Sequence, residues 1–393
     1  MPISITANSI VRNFFKSLGL DTIYSRIVLK HLVSFVTAMA IKGFSAKMTD
    51  VTEESQNHRT TQGYFISKSP WDEEPLKKIL KDQSFKNVAR HSKETGIPIL
   101  ADFDDTVNAK TKPSSRALRP MEGAAFHYSH LLGKQVWGHQ VMAVMVSCGD
   151  LALNYDLHRY DKTKQTKIEY AQEVIGTLPV PESKAYLLAD SWYTCDKIVH
   201  ACAVRGYHYI GAMKTNRIIY PQGLHIGIAE FARYIELSDV DLVTVKGKQY
   251  YVYRYEGKLK GIENAVALLC WPKGAFKNPK ALKAFISTDT ALDTAKILEY
   301  YASRWCIETF FAQTKASLGF GKYQIRSIKG IERLWTLMSL CHLLCVTSFG
   351  SQPTPFGEGL RLLRKDIDVD WVVFIYKSAQ MNIPLQDVLS FCA

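Results

Sequence analysis

Three carboxylates and one polar helical stripe have the residue types and spacing for chemistry in this sequence. Within YYASRWCIETFFAQTKASLGF, residues 300–320, Tyr301, Arg304, Glu308 and Lys315 fall within an arc of roughly 60° if the segment is helical. A phenol, a guanidinium, a carboxylate and an ammonium in a row suit an active-site wall. They also suit a solvated face, since Arg304 and Glu308 make an ordinary i,i+4 ion pair. Asp104 and Asp190 each follow an apolar run that reads as a buried strand, in IPILADFDDT and AYLLADSWYT. Charged groups that emerge from buried elements are costly unless paired or bound to a cation. Two Asp and one Glu make an all-oxygen set that Mg²⁺ or Mn²⁺ prefers and zinc does not. Such ions serve phosphoryl transfer by activating the attacking oxygen and stabilising the leaving one. Taken singly, each aspartate also suits a cap or turn, Asp190-Ser191 before a helix and Asp105-Thr106 in a loop.

The composition narrows the substrate. Against 37 Asp+Glu stand 49 Lys+Arg, a formal net charge of +12, which points to an anionic partner, nucleic acid being the usual one. A chain of 393 residues that is 47% hydrophobic is globular and has room for two or three domains. Its eight cysteines include no CxxC pair, and Cys341 and Cys345 read as buried small hydrophobes in an apolar helix. Free thiols in cores point to the cytoplasm. The apolar stretch from Ile23 to Ile41 is broken by Arg26, Lys30 and His31, and 336–349 is too short to span a bilayer. His127, His130 and His139 lack cysteine or carboxylate companions at ligand spacing, so structural or DNA-contact roles are expected of them rather than zinc.

Residues 1–95 read as a helical, DNA-binding region. Asn8 or Ser9 is placed to cap a first helix and Asp21 a second running to about Ile41, and 75–90 is amphipathic. The run SQNHRTTQGYF carries side chains that read phosphates and base edges, or else form a surface loop and helix cap. From Ile97 the texture becomes strand-like, with turns at Leu132-Gly133-Lys134 and Gly149-Asp150. Helices over 166–178 and 195–206 alternate with apolar strands, and this order sets Asp190 at the carboxyl end of a central strand. Residues 214–281 read as mostly β, with period-two alternation in QYYVYRY. The stripe belongs to a helix that Gly319 stops, and an apolar helix follows over 330–349. Residues 350–393 read as a Pro/Gly-rich loop and short amphipathic pieces.

With these residues in view, the sequence resembles the DDE transposases of bacterial insertion sequences, specifically the group with the YREK signature, Y-x2-R-x3-E-x6-K. That signature is Tyr301, Arg304, Glu308 and Lys315 with the spacing intact. Asp104-Asp105-Thr106 matches the D-x-T context of the family's first aspartate, and Asp190 in LLADSWY the second. The gap from Asp190 to Glu308 suits the mostly-β insertion this group carries. The similarity runs from about Ile97 to Phe349 and takes in FISTDT and YQIRS. Asp102 shares a face with Asp104 and stays open as the first ligand, whereas Asp105 points the other way.

The resemblance implies an α/β, RNase H-like fold: a mixed sheet flanked by helices over 96–349, with the insertion at about 214–281 and a C-terminal region over 350–393. It implies two Mg²⁺ (or Mn²⁺) ions held by Asp104, Asp190 and Glu308. Tyr301, Arg304 and Lys315 would grip DNA phosphates. Lys110, Lys112, Arg116, Arg119 and Arg326 are either backbone contacts or solvated cations. The implied activity is cutting of a mobile element's ends and joining to target DNA, by a homodimer on DNA. Two other readings stay open: a metal-dependent nuclease of the same fold without strand transfer, and a domesticated DNA-binding protein.

Overall fold

The computed structural model describes residues 9–53, 57–129 and 132–392, so Asn8 and His130 lie outside the described residues. The chain opens on helices α1 (Ser9–Ser17), α2 (Leu20–Ile23), α3 (Arg26–Ala40), α4 (Met48–Glu53), α5 (Arg59–Ser67) and α6 (Glu74–Thr95). Strands β1 (Ile99–Ala109), β2 (Ala125–Ser129), β3 (Lys134–Cys148) and β4 (Leu151–Arg159) follow. Next come α7 (Lys167–Thr177), β5 (Ala185–Ala189), α8 (Asp196–Arg205) and β6 (His208–Met213). A mostly-β stretch holds β7 (Ile218–Ile219), β8 (Ile226–Gly227), α9 (Ile228–Phe231), β9 (Asp241–Val245), β10 (Lys248–Leu259), β11 (Ile262–Pro272) and β12 (Lys283–Ser287). Helices α10 (Thr294–Ser303), α11 (Trp305–Ser317), α12 (Ile328–Thr347), α13 (Phe356–Gln380) and α14 (Leu385–Cys392) complete it.

One 12-stranded mixed sheet organises these elements. At its centre the order is β4-β3-β1-β5-β6, with β1 parallel to β5, β5 parallel to β6, and β3 antiparallel to both β1 and β4. This is the RNase H-like arrangement. The strands between β6 and β12 extend the same sheet, because β12 returns antiparallel against β6 with Ala284 opposite Met213. α10 and α11 cover the face of β1 that carries Asp102 and Asp104. α7 and Tyr193 cover the opposite face, where Phe103 and Asp105 point.

Several elements depart from the sequence reading, each for a local reason. The second helix is split: Ser25, not Asp21, caps α3 by accepting the Val28 amide. The described part of the polar run, from residue 57 on, supplies the helix cap that was one reading of it and continues as helix, with His58 capping α5 and Gln62 buried against His31 at 3.0 Å. Arg59, Thr60 and Thr61 remain exposed. The C-terminal pieces are largely one 25-residue helix, α13. Its Gly359 allows the crossing with α12, since a Cβ there would collide with the Cys345 carbonyl.

The N-terminal helices are tied to α12 by Arg333, whose guanidinium is fully buried. It meets Glu73 at 2.9 Å, donates to the carbonyls of Phe65, Ile66, Ser69 and Trp71, and stacks over the Trp71 ring. At the other end of this packing, Asp370 of α13 accepts from the backbone and hydroxyl of Ser9 at the start of α1.

Candidate active site

β1 does not end at Asp104. It runs on to Ala109 as the antiparallel partner of β3, while its pairing with β5 stops at Phe103 opposite Ala189. The sequence shows this in DFDDTVN: Asp102, Asp104, Thr106 and Asn108 recur with period two, the pattern of one strand face. Continuing the parallel register by one residue sets Asp104 beside Asp190. Asp190 is not a helix cap, since Cys195 opens α8. One of its carboxylate oxygens accepts the Trp192 amide at 2.9 Å in a tight turn.

Each polar residue on that face of β1 meets the segment 304–320 in turn. The Cys306 thiol donates to Asp102 at 3.1 Å, and Arg304 Nη1 donates to Asp104 Oδ2 at 2.8 Å. Lys315 Nζ donates to the Thr106 hydroxyl at 2.6 Å, and the Asn108 amide donates to the Phe320 carbonyl at 2.9 Å. Arg304 Nη2 reaches Glu308 Oε1 at 2.5 Å, so one guanidinium spans two of the three carboxylates. The segment is not one continuous helix. Arg304 sits at a tightened turn between α10 and α11, where its amide bonds back to Tyr301 and its carbonyl accepts from Ile307, both i,i+3 contacts at 3.2 Å. α11 stops where Gly319 adopts φ +66° and lies against Ala46.

Burial distinguishes the aspartates. Asp102 is 0% exposed, and its Oδ1 has no hydrogen-bond partner. Burial pushes its carboxyl up to about 7, although the Cys306 thiol and Arg304 pull it down. Asp104 keeps 22% of its side chain exposed, and burial pushes it up to about 6 against the pull of Arg304. Asp105, on the other face, is held by Lys167 at 2.7 Å, Gln140 at 2.5 Å and Tyr193 at 3.3 Å. Burial opposes the charge on Arg304, yet Asp104 and Tyr301 beside it hold the guanidinium above its ordinary pKa. Burial also raises the Tyr301 hydroxyl, and both Asp190 and Asp104 are near enough to add to that rise. Burial lowers the Lys315 ammonium.

The other basic candidates lie apart from the carboxylates. Lys110 is committed to the fold: it donates to the Gly321 and Tyr323 carbonyls at 2.8 and 2.7 Å, sits 3.5 Å from the Tyr323 ring centroid, and is lowered to about 8 by burial. Lys112 is exposed over the Phe126 ring, and Arg326 donates to the Arg119 carbonyl at 3.1 Å. Lys110, Arg119, Lys322 and Arg326 line an open groove of about 950 Å³ past the end of β1. That groove starts five residues along the strand from Asp104, roughly 17 Å. His139 holds the Glu122 carbonyl and the Tyr323 hydroxyl, each at 2.8 Å, so both ring nitrogens are engaged within the fold.

Asn108 and Cys306 join the site without having been singled out from the sequence, and Thr106 enters as the partner of Lys315 as well as part of the D-x-T context; the period-two pattern on β1 carries the signal for Thr106 and Asn108. Among the described residues, no three His, Cys, Asp or Glu side chains are grouped as a ready metal site. Asp104 and Glu308 turn to Arg304 instead. The donor chemistry nevertheless fits a hard cation, with carboxylate oxygens at the rim of a buried strand and Asp104 short of positive charge even beside Arg304.

The chain thus carries a mixed RNase H-like sheet whose acidic strand positions lie beneath the α10–α11 segment bearing Arg304, Glu308 and Lys315. Residues 126–344 match the family described as the transposase DDE domain, and the chain belongs to that family. The match takes in Asp190 and Glu308 and begins after Asp104. Members of the family act on DNA and generally use divalent metal ions. The piggyBac transposase synaptic complex with hairpin DNA, solved by cryo-electron microscopy, is a structural match at TM-score 0.47 and 12% identity, over 93% of this chain and 75% of that one. No curated protein matches the sequence. Among the described residues no helix is long and apolar enough to cross a membrane.

Proposed function

We propose that this transposase belongs to a bacterial insertion sequence of the YREK group and acts in the cytoplasm, cutting the element's ends and joining them to target DNA. The observation that carries the reading is the delivery of Arg304 and Lys315 from one segment onto the polar face of β1, with Glu308 held on Arg304 and Asp104 and Asp190 each one residue past the last paired position of β1 and β5. Asp104, Asp190 and Glu308 would hold Mg²⁺ or Mn²⁺, which supplies activation of the attacking oxygen and relief of charge on the leaving one. Arg304 as a fork and Lys315 as a point charge would grip the scissile strand's phosphates and fix the phosphodiester for in-line attack. Water attack releases a 3′-hydroxyl. That hydroxyl then attacks target DNA, directly or after a hairpin on the opposite strand. No covalent protein–DNA link is required.

Pairing two ends calls for two copies of the chain. Val369, Val372, Val373, Ile375 and Tyr376, exposed on α13, offer an apolar face for that. The test is incubation of purified protein with Mg²⁺ and DNA bearing the element's terminal repeats. Joined products are expected from the wild type, and Glu308→Ala should abolish cleavage while end binding persists. Hydrolysed ends without any joined product would leave a nuclease rather than a transposase. Undiminished cleavage by Glu308→Ala would remove Glu308 from the site.

A further inference from the structure

Arg304 bonds to two of the three acidic residues of the site. Its two terminal nitrogens take Asp104 Oδ2 and Glu308 Oε1, one oxygen from each of two carboxylates that the proposed function gives to a divalent ion. Only 13% of its side chain is exposed. A guanidinium forked between two carboxylates at 2.8 and 2.5 Å is a charge-assisted pair with fixed geometry, not a loose surface contact. It must leave, or at least swing off one arm, before those oxygens can face a common cation. A phosphodiester offers the same planar fork an equivalent anionic partner.

We propose that Arg304 is a positioning residue that couples cation binding to DNA binding. In the free protein its fork competes with a divalent ion for Asp104 and Glu308, and a DNA phosphate draws it away and opens the carboxylates. The inference rests on the three-carboxylate reading above. Its benefit is chemical: a transposase whose carboxylates take up the ion only beside DNA holds no loaded site to cut with elsewhere. The neighbouring cation Lys315 provides the internal contrast, because it bonds to Thr106 and touches neither carboxylate.

The test is Mn²⁺ binding to purified, DNA-free protein, followed by electron paramagnetic resonance, with thermal melts to establish that each variant is folded. Arg304→Gln should bind Mn²⁺ about tenfold or more tightly than wild type, a change equivalent to ~1.4 kcal/mol. Arg304→Lys keeps the charge but cannot span both carboxylates, so it should fall between the two. Lys315→Gln removes the same charge without freeing either carboxylate, so it should gain much less than Arg304→Gln, whereas an effect of net charge alone would give both the same gain. A short end duplex should then strengthen Mn²⁺ binding much more in wild type than in Arg304→Gln. Loss of structure cannot mimic this pattern, because an unfolded site would bind more weakly. The proposal is overturned if DNA-free wild type binds as tightly as Arg304→Gln, or if Lys315→Gln gains as much. Absence of Mn²⁺ binding in every protein, DNA-bound wild type included, would instead bring down the three-carboxylate reading and the coupling with it.

Discussion

Asp102→Asn should leave DNA cleavage standing and change how stability depends on pH. The Asp102 carboxyl is sealed beneath Cys306, with one oxygen bonded to that thiol and the other without a partner. Burial raises it from the ordinary aspartate value of 3.8 to about 7. The folded protein therefore binds this proton more tightly than the unfolded chain does. The stability so gained is fully present below pH 3.8 and lost as pH rises through about 7, beyond which the native state carries a buried carboxylate. A displacement of about three pH units at ~1.4 kcal/mol each bounds the loss at roughly 4 kcal/mol. Asparagine matches the neutral acid in shape and never ionises. Its stability relative to wild type should therefore rise by roughly 2–3 kcal/mol between about pH 5 and 8. Urea unfolding of both proteins in metal-free buffer at three pH values across that window measures it. A difference that does not change with pH would refute the burial argument. Loss of cleavage in a folded Asp102→Asn protein would transfer the first-ligand role from Asp104 to Asp102.

Two further substitutions probe the framework that holds the site. Arg333→Met keeps the volume of a fully buried side chain but strands Glu73 and the carbonyls of Phe65, Ile66, Ser69 and Trp71. Losing one partner of such a buried pair should cost about 3–5 kcal/mol in urea unfolding, and a loss under about 1 kcal/mol would contradict the role given to Arg333. Gly319→Ala puts a Cβ 2.9 Å from the Ala46 Cβ at a φ of +66°. It should cost about 1–3 kcal/mol and loosen the end of α11. An unchanged unfolding midpoint would show that the turn after α11 can shift freely.

How much of this was legible in the sequence depends on how far apart the partners lie. The central strands were readable because apolar runs such as AYLLA carry their burial in their composition, and α7 because Thr166 and Glu169 form a capping box within one turn. The start of α13 reads as loop in the sequence because Pro355, Gly357 and Gly359 look like loop residues. They are the start of a helix and its close approach to α12, and that distinction belongs to the partner helix. Arg333 was invisible for the same reason, its partners lying in a segment distant in sequence. The break at Arg304 likewise has no Gly or Pro to announce it; it coincides with a side chain bonded at once to β1 and to the next turn of its own helix.

The aspartates show the limit most sharply. Asp102 and Asp104 are two residues apart on one strand face, so periodicity within β1 cannot separate them, and only the resemblance of Asp104-Asp105-Thr106 to a D-x-T context favours Asp104. What separates them is which turn of the α10–α11 segment lands above each. A thiol covers one and excludes water, whereas a guanidinium spans from the other to Glu308 and leaves an edge open. One step of slippage of that segment along β1 would exchange the two environments. The identity of the first acidic position is therefore a property of helix–strand register, which Lys315 on Thr106 and Asn108 on the Phe320 carbonyl hold in place.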